Sequence, residues 1–176
     1  MEGACEFGPR ALGHRSLLAA AHSTDMRDRL NRDIKRREDF RPFAPVVPIE
    51  VADQYFELPP GGARLARFMS GVFPVRPEWR ERLAAITHVD GTARVQVLER
   101  EMAPRLYALL EAYGRRSGIP VLLNTSFNVA GEPIVNSALE GYSTFRRCQI
   151  DVLVAGSTLV TKRAASNTRS AKEDVA

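Results

Sequence analysis

Hydrophobic and polar positions along the chain fall into blocks of changing period. Leu17-Leu18-Ala19-Ala20-Ala21 is the first apolar stretch. Thr24 or Asp25 then offers an N-cap for a helix through about Arg37. Asp25/Arg29 and Asp28/Arg32 are spaced i,i+4, where opposite charges meet on one helical face. Pro42 and Pro45 rule out continuation, and Phe43-Ala44-Pro45-Val46-Val47-Pro48 reads as an extended segment buried on at least one face. A short helix is expected from Glu50 to Phe56, before the Pro59-Pro60-Gly61-Gly62 break. Phe68 to Val75 reads as a strand. Thr92 to Leu98 alternates more cleanly, with Ala93, Val95 and Val97 on one side and Arg94 and Gln96 on the other.

The second half is more regular. Pro104 suits the first turn of a long helix, Leu106, Leu109, Leu110 and Tyr113 form its apolar stripe, and Gly118 with Pro120 ends it. Val121-Leu122-Leu123 reads as a strand that empties into a polar turn, Asn124-Thr125-Ser126-Phe127-Asn128. Ser137 and Glu140 match a capping box, so a helix should run to about Arg147. Asp151 to Thr161 gives a last, mostly apolar strand. The closing KRAASNTRSAKEDVA lacks apolar residues able to offset the entropy of ordering. The organisation expected is therefore a domain over 1–163 with a disordered tail over 164–176. Strand, helix and strand alternate, which predicts an α/β layer.

Composition narrows the functional classes. The 176 residues are 44% hydrophobic and 26% charged, an ordinary globular balance. No apolar run reaches the length of a membrane span, and the start MEGACEFGPR has no secretory h-region. Cys5 and Cys148 form no CxxC, which argues against a disulfide framework and a zinc site and favours a reducing, cytoplasmic setting. The net charge of +4 fits a domain that holds phosphate-bearing small molecules, one that touches nucleic acid, or a plain solvated surface.

Three constellations carry candidate chemistry. In Glu6-Phe7-Gly8-Pro9-Arg10-Ala11-Leu12-Gly13-His14-Arg15-Ser16, two glycines let backbone N–H groups approach a ligand, and Arg10 and Arg15 can fork onto phosphate oxygens. The same residues also read as a Gly-Pro turn with two surface arginines. It is not a Walker A loop, and no GxGxxG follows a strand. In the second, over residues 27–41, acidic residues compensate much of the basic charge. Lys35, Arg37 and Arg41 stand apart because they lie where a helix gives way to a buried strand, in reach of a cleft. The third, Asn124 to Pro133, places hydroxyls, amides and a glycine at the carboxyl end of a strand, where ligands bind in open α/β folds; a tight polar turn is the bland alternative. His14, His22 and His88 match no metal-ligand spacing, and no metal site is expected. Trp79 reads as a packing anchor.

Taken together, EFGPRALGHRS, NRDIKRREDFRPFAPVV, THVDGTARVQ and PVLLNTSFNVAGEPIV resemble, in collinear order from residue 5 to about 163, the carboxy-terminal domain of bacterial O-carbamoyltransferases. The nodulation-type enzymes look most similar. The resemblance implies a YrdC-like twisted mixed sheet flanked by helices. It also implies that a Lys-x-Arg pair (Lys35 and Arg37) and a Ser-x-Asn pair (Ser126 and Asn128) embrace nucleotide phosphates and a carbamoyl group. Arg94 matches the family's arginine before the long helix, and Arg10, Arg15 and Arg41 are further candidate phosphate contacts. The implied chemistry forms carbamoyl-adenylate from carbamoyl phosphate and ATP, with Mg²⁺ accompanying the nucleotide. An amino-terminal domain or chain that supplies the family's iron site then passes the carbamoyl group to a hydroxyl acceptor. MEGAC offers no counterpart to the family's strand ahead of Glu6, so the sheet is predicted to lack its first strand and to expose a pairing edge. On this reading the chain by itself is at most half an enzyme. A catalytically inactive module that binds nucleotide or a partner transferase domain is the alternative, and RNA binding through residues 27–41 is a third. Nucleic acid and membrane are not expected partners, and homo-oligomerisation is left open.

Overall fold

A computed structural model describes residues 1–162; the expected tail at 164–176 lies outside the described residues. The chain runs through β1 (Ser16–Ala20), α1 (Thr24–Arg29), β2 (Ala44–Pro48), α2 (Gly62–Ala66), β3 (Phe73–Pro74), β4 (Thr92–Ala93) and β5 (Gln96–Leu98). It continues through α3 (Pro104–Ser117), β6 (Leu122–Ser126), α4 (Ala138–Arg147), β7 (Val152–Ala155) and β8 (Thr158–Thr161). The main sheet has the order β1-β6-β2-β5. β6 lies antiparallel between β1 and β2, and β2 is parallel to β5. The mixed α/β architecture expected from the sequence is present.

The sheet is covered on both faces. Val46, Leu98 and Leu122 pack with Leu106, Tyr107 and Leu110 of α3. Their neighbours Val47, Val97 and Leu123 enter the larger cluster with Phe56, Leu83, Ile86 and Phe127. Successive residues of a strand point to opposite faces, so consecutive apolar pairs such as Leu122-Leu123 are what a doubly covered strand requires. This also explains why Gln96, expected on a polar side, is fully buried. Ala93, Val95 and Val97 are buried as expected, but Arg94 and Val95 interrupt the strand, splitting it into β4 and β5.

Four other expectations change. The strand over Phe68–Val75 shrinks to β3, because Met69 takes a left-handed φ of 53° and Phe68 stays exposed. The single last strand is a hairpin, β7–β8, folded at Gly156 with φ of 57°. The helix from Thr24 widens after Arg29 into a π-helical turn, Leu30–Lys35, and stops at Arg36, whose φ of 47° is left-handed. π-turns inside helices are rare and concentrate at functional sites. The expected i,i+4 pairs do not form: Arg29 bonds Asp151 and Arg32 bonds its neighbour Asp33. Tyr55 against Trp79, with ring centroids 4.7 Å apart, supports the packing role read for the tryptophan.

Candidate anion-binding site

The first loop is tied by its own acid. Glu6 Oε1 accepts from the backbone N–H groups of Leu12 and His14, both at 2.7 Å, and of Arg15 at 3.2 Å. Burial opposes the charge on Glu6, but these hydrogen bonds prevail and hold its carboxyl below the usual carboxylate range. The loop's amides therefore embrace an internal anion, and its shape is fixed before any ligand arrives. Gly13 is required there: at φ of 130° a Cβ would lie 2.8 Å from Leu106 Cδ2. Arg15, one of the candidate phosphate ligands, is engaged elsewhere. It is buried, and its guanidinium donates to the carbonyls of Glu2, Gly3, His14 and Asn136.

Arg10, by contrast, turns into a cavity of about 330 Å³ shared with Arg37, Arg41, Arg94, His88, Asn124, Thr125 and Ser126. Four guanidinium groups line it and no carboxylate does. Arg37 donates from Nε to Asn31 Oδ1 at 2.7 Å and stacks on Phe43. Arg41 has a loose pairing with Glu38 at 3.8 Å. Arg10 and Arg94 have no ion pair or hydrogen-bonded side-chain partner among the described residues, and buried Arg94 Nε has no partner at all. Partial burial, with Arg41 beside Arg37 and Arg10 beside Arg94, lowers the affinity of both half-buried guanidiniums for their protons. Like charges held this close to one another favour an anionic guest.

Lys35 stands one layer behind. Its ammonium is buried in a cage of oxygens: Asn128 Oδ1 at 2.7 Å, the Asn128 carbonyl at 3.1 Å, Ser126 Oγ at 3.2 Å and the Ser126 carbonyl at 2.5 Å. Burial, aided by the charge on Arg37, pushes its pKa down to about 7. Ser126 Oγ donates to Asn128 Oδ1 at 2.7 Å, and Asn128 Nδ2 donates to the carbonyl of Glu132. Lys35, Ser126 and Asn128 thus meet, but of the three only Ser126 lines the cavity. The π-turn is what delivers Lys35 to the end of β6.

Two further residues of the cavity take roles that the sequence did not assign them. His88 Nδ1 lies 3.1 Å from Thr92 Oγ1, which itself donates to Asp90 Oδ1 at 2.7 Å. The single hydroxyl proton goes to the aspartate, so the imidazole must donate from Nδ1. Burial, reinforced by Arg94, lowers the His88 pKa, leaving a neutral ring with an unprotonated Nε2. Asn124 is the other, a fully buried amide in the middle of β6. The sequence placed it in a polar turn, but β6 runs on through it to Ser126, and a buried amide needs partners.

Beside this cavity a shelf formed by Phe7, Phe68 and Val72 shares Arg10 and Arg94 with it. A separate groove between Leu17, Leu109 and Val154 is apolar and lacks a cationic cluster. Among the described residues no three His, Cys, Asp or Glu side chains converge as a metal site, and no helix is long and apolar enough to cross a membrane.

The nodulation protein NolNO of Sinorhizobium fredii is 47% identical over 166 residues, covering 94% of this chain and 24% of that protein. The nodulation protein NolO of Bradyrhizobium diazoefficiens is also 47% identical, with 94% and 30% covered. The 3'-hydroxymethylcephem-O-carbamoyltransferase of Streptomyces clavuligerus is 40% identical over 168 residues, with the same coverage. The chain thus spans less than a third of the length of these relatives. The sequence model of the carbamoyltransferase C-terminus matches residues 1–162, and with these identities it shows that the chain belongs to the carbamoyltransferase C-terminal family.

Proposed function

We propose that this domain activates a carbamoyl group, using carbamoyl phosphate and ATP to form carbamoyl-adenylate for a transferase domain on the same or another chain. The observation that carries the reading is the carboxylate-free cavity into which Arg10, Arg37, Arg41 and Arg94 converge at the polar end of β6. For the carbamoyl group to end on the α-phosphate while both phosphate and pyrophosphate leave, one water is consumed. Water replaces phosphate on the carbamoyl carbon, and an oxygen of the resulting carbamate displaces pyrophosphate from the α-phosphorus. Such phosphoryl chemistry asks the protein mainly to position reactants and to stabilise charge. The four guanidiniums supply both. The adjoining Phe7–Phe68–Val72 shelf offers an apolar seat for a nucleoside. With no carboxylate in the lining, a Mg²⁺ arriving with ATP would rest on phosphate oxygens. The relative named as a cephem O-carbamoyltransferase favours a hydroxyl acceptor in the complete system.

The caged ammonium of Lys35 favours a second reading, in which the domain binds nucleotide or a partner domain without turnover. Carbamoyl-phosphate-dependent release of pyrophosphate from ATP separates the two. Turnover that Arg94→Ala and Lys35→Ala abolish supports activation. A folded chain that binds ATP yet releases no pyrophosphate supports the binding module.

A further inference from the structure

Asn124 is a buried amide at the wall of a cavity lined by four arginines. Its residue exposure is 1%, and it lines the cavity from the centre of β6. Its amide orientation is fixed by a chain of hydrogen bonds. Gln96, fully buried, donates from Nε2 to the carbonyl of Leu12 at 2.8 Å, so Gln96 Oε1 is the atom that faces Asn124. Asn124 Nδ2 donates to that oxygen at 2.6 Å and to the carbonyl of Ala11 at 3.2 Å. Flipping the amide would set Oδ1 against two acceptors. Both N–H groups are therefore engaged, and Oδ1 is left buried without a partner among the described residues. A buried acceptor in that state is costly until something donates to it.

The complement of this arrangement is a ligand with anionic or carbonyl oxygens for the arginines and an N–H for Asn124. Arg94 Nε, also buried and unpartnered, is the matching donor. Arg10 and Arg94 line the same cavity and are not tied down, and a ligand reaches the buried Oδ1 only if the side chains around it shift as it binds. A carbamoyl group has an NH₂ where an acetyl group of nearly the same shape has a methyl. We propose that Asn124 is the specificity-determining residue of this cavity, its Oδ1 accepting from the N–H of a carbamoyl group and so selecting carbamoyl over acetyl phosphate. The inference rests on the carbamoyl-activating reading and adds the atom that recognises the group. The cost of rejection is that of a buried polar atom left unpaired, which sites of this kind convert into at least roughly ten- to hundredfold discrimination.

Calorimetric titration of the chain with carbamoyl phosphate, acetyl phosphate and inorganic phosphate tests it. The unaltered chain is expected to bind carbamoyl phosphate at least about tenfold more tightly than acetyl phosphate. Asn124→Leu is expected to bring that ratio near one while inorganic phosphate binds as before. Asn124→Leu leaves Gln96 and Ala11 without a donor, so a Gln96→Met/Asn124→Leu pair serves if the single variant fails to fold. His88→Ala, which removes an unprotonated ring nitrogen from the same cavity, is expected to keep the ratio. Equal binding of the two acyl phosphates by the unaltered chain overturns the role of Asn124 and leaves the activation reading standing. So does a ratio that survives in Asn124→Leu or collapses in His88→Ala. Failure to bind carbamoyl phosphate at all removes the activation reading itself, and the role of Asn124 with it.

Discussion

At the scale of the residue, two buried cations do different work. Arg15 holds four carbonyls and no anion, so truncation leaves those oxygens unpaired. Arg15→Ala is expected to cost about 2–4 kcal/mol of stability, read as a lower Tm, while the folded fraction keeps its affinity for phosphate. Lys cannot replace the planar fork, so Arg15→Lys should recover little. Lys35 links stability to pH. Its folded pKa, about 7, lies below the value of an unfolded lysine. Between the two the unfolded chain holds a proton that the folded chain has released, so stability rises with pH through that window and levels off below about 7. Chemical denaturation from pH 7 to 10 should show this rise, and Lys35→Met should flatten it. Family resemblance pointed to Lys35, Ser126 and Asn128, and the structure brings them together. It could not show that the ammonium is caged behind the cavity, because that depends on a π-turn that hydrophobic spacing does not reveal. Arg10 and Arg15, equivalent in the sequence, differ because the Glu6-tied loop turns one outward and the other onto carbonyls.

At the scale of the element, local signals were legible where the chemistry is local. The helix α4 begins where the capping box places it: Ser137 Oγ accepts from the Glu140 N–H at 3.2 Å, and the Glu140 carboxylate accepts from the Ser137 N–H. Ser137→Ala is expected to cost about 1 kcal/mol by denaturant titration. The helix α3 starts at Pro104 and ends at Gly118, whose φ of 77° gives the left-handed cap. Elements defined by distant partners were read less well. Phe68–Val75 has a strand's composition, yet it turns at Met69 because nothing pairs with its first half. The alternating 92–98 segment breaks at Arg94, the residue that carries charge into the cavity. Arg36 closes the π-turn in a left-handed conformation that favours glycine. Arg36→Gly is therefore expected to leave stability unchanged or to raise it by up to about 1 kcal/mol, in contrast to a glycine placed in mid-helix.

At the scale of the whole molecule, charge and connectivity set the behaviour. The arginines of α1 and the π-turn meet acids, with Arg27 on Asp28, Arg29 on Asp151 and Arg32 on Asp33. At the cavity, Arg10, Arg37 and Arg94 have no ion pair among the described residues. Affinity for ATP should consequently fall several-fold between low and high salt as the cations are screened, measurable by titration at two ionic strengths. The sheet order has a different consequence. β1, nearest the amino terminus, has β6 as its partner in the main sheet, and Asn124 reaches back to Ala11, 113 residues away in sequence. Contacts this distant are slow to form, on the order of milliseconds to seconds. During synthesis the apolar Leu17–Ala21 segment emerges long before β6 exists to pair with it. Until β6 emerges the nascent chain carries an unsatisfied strand, an apolar segment of the kind that chaperones shield at the ribosome.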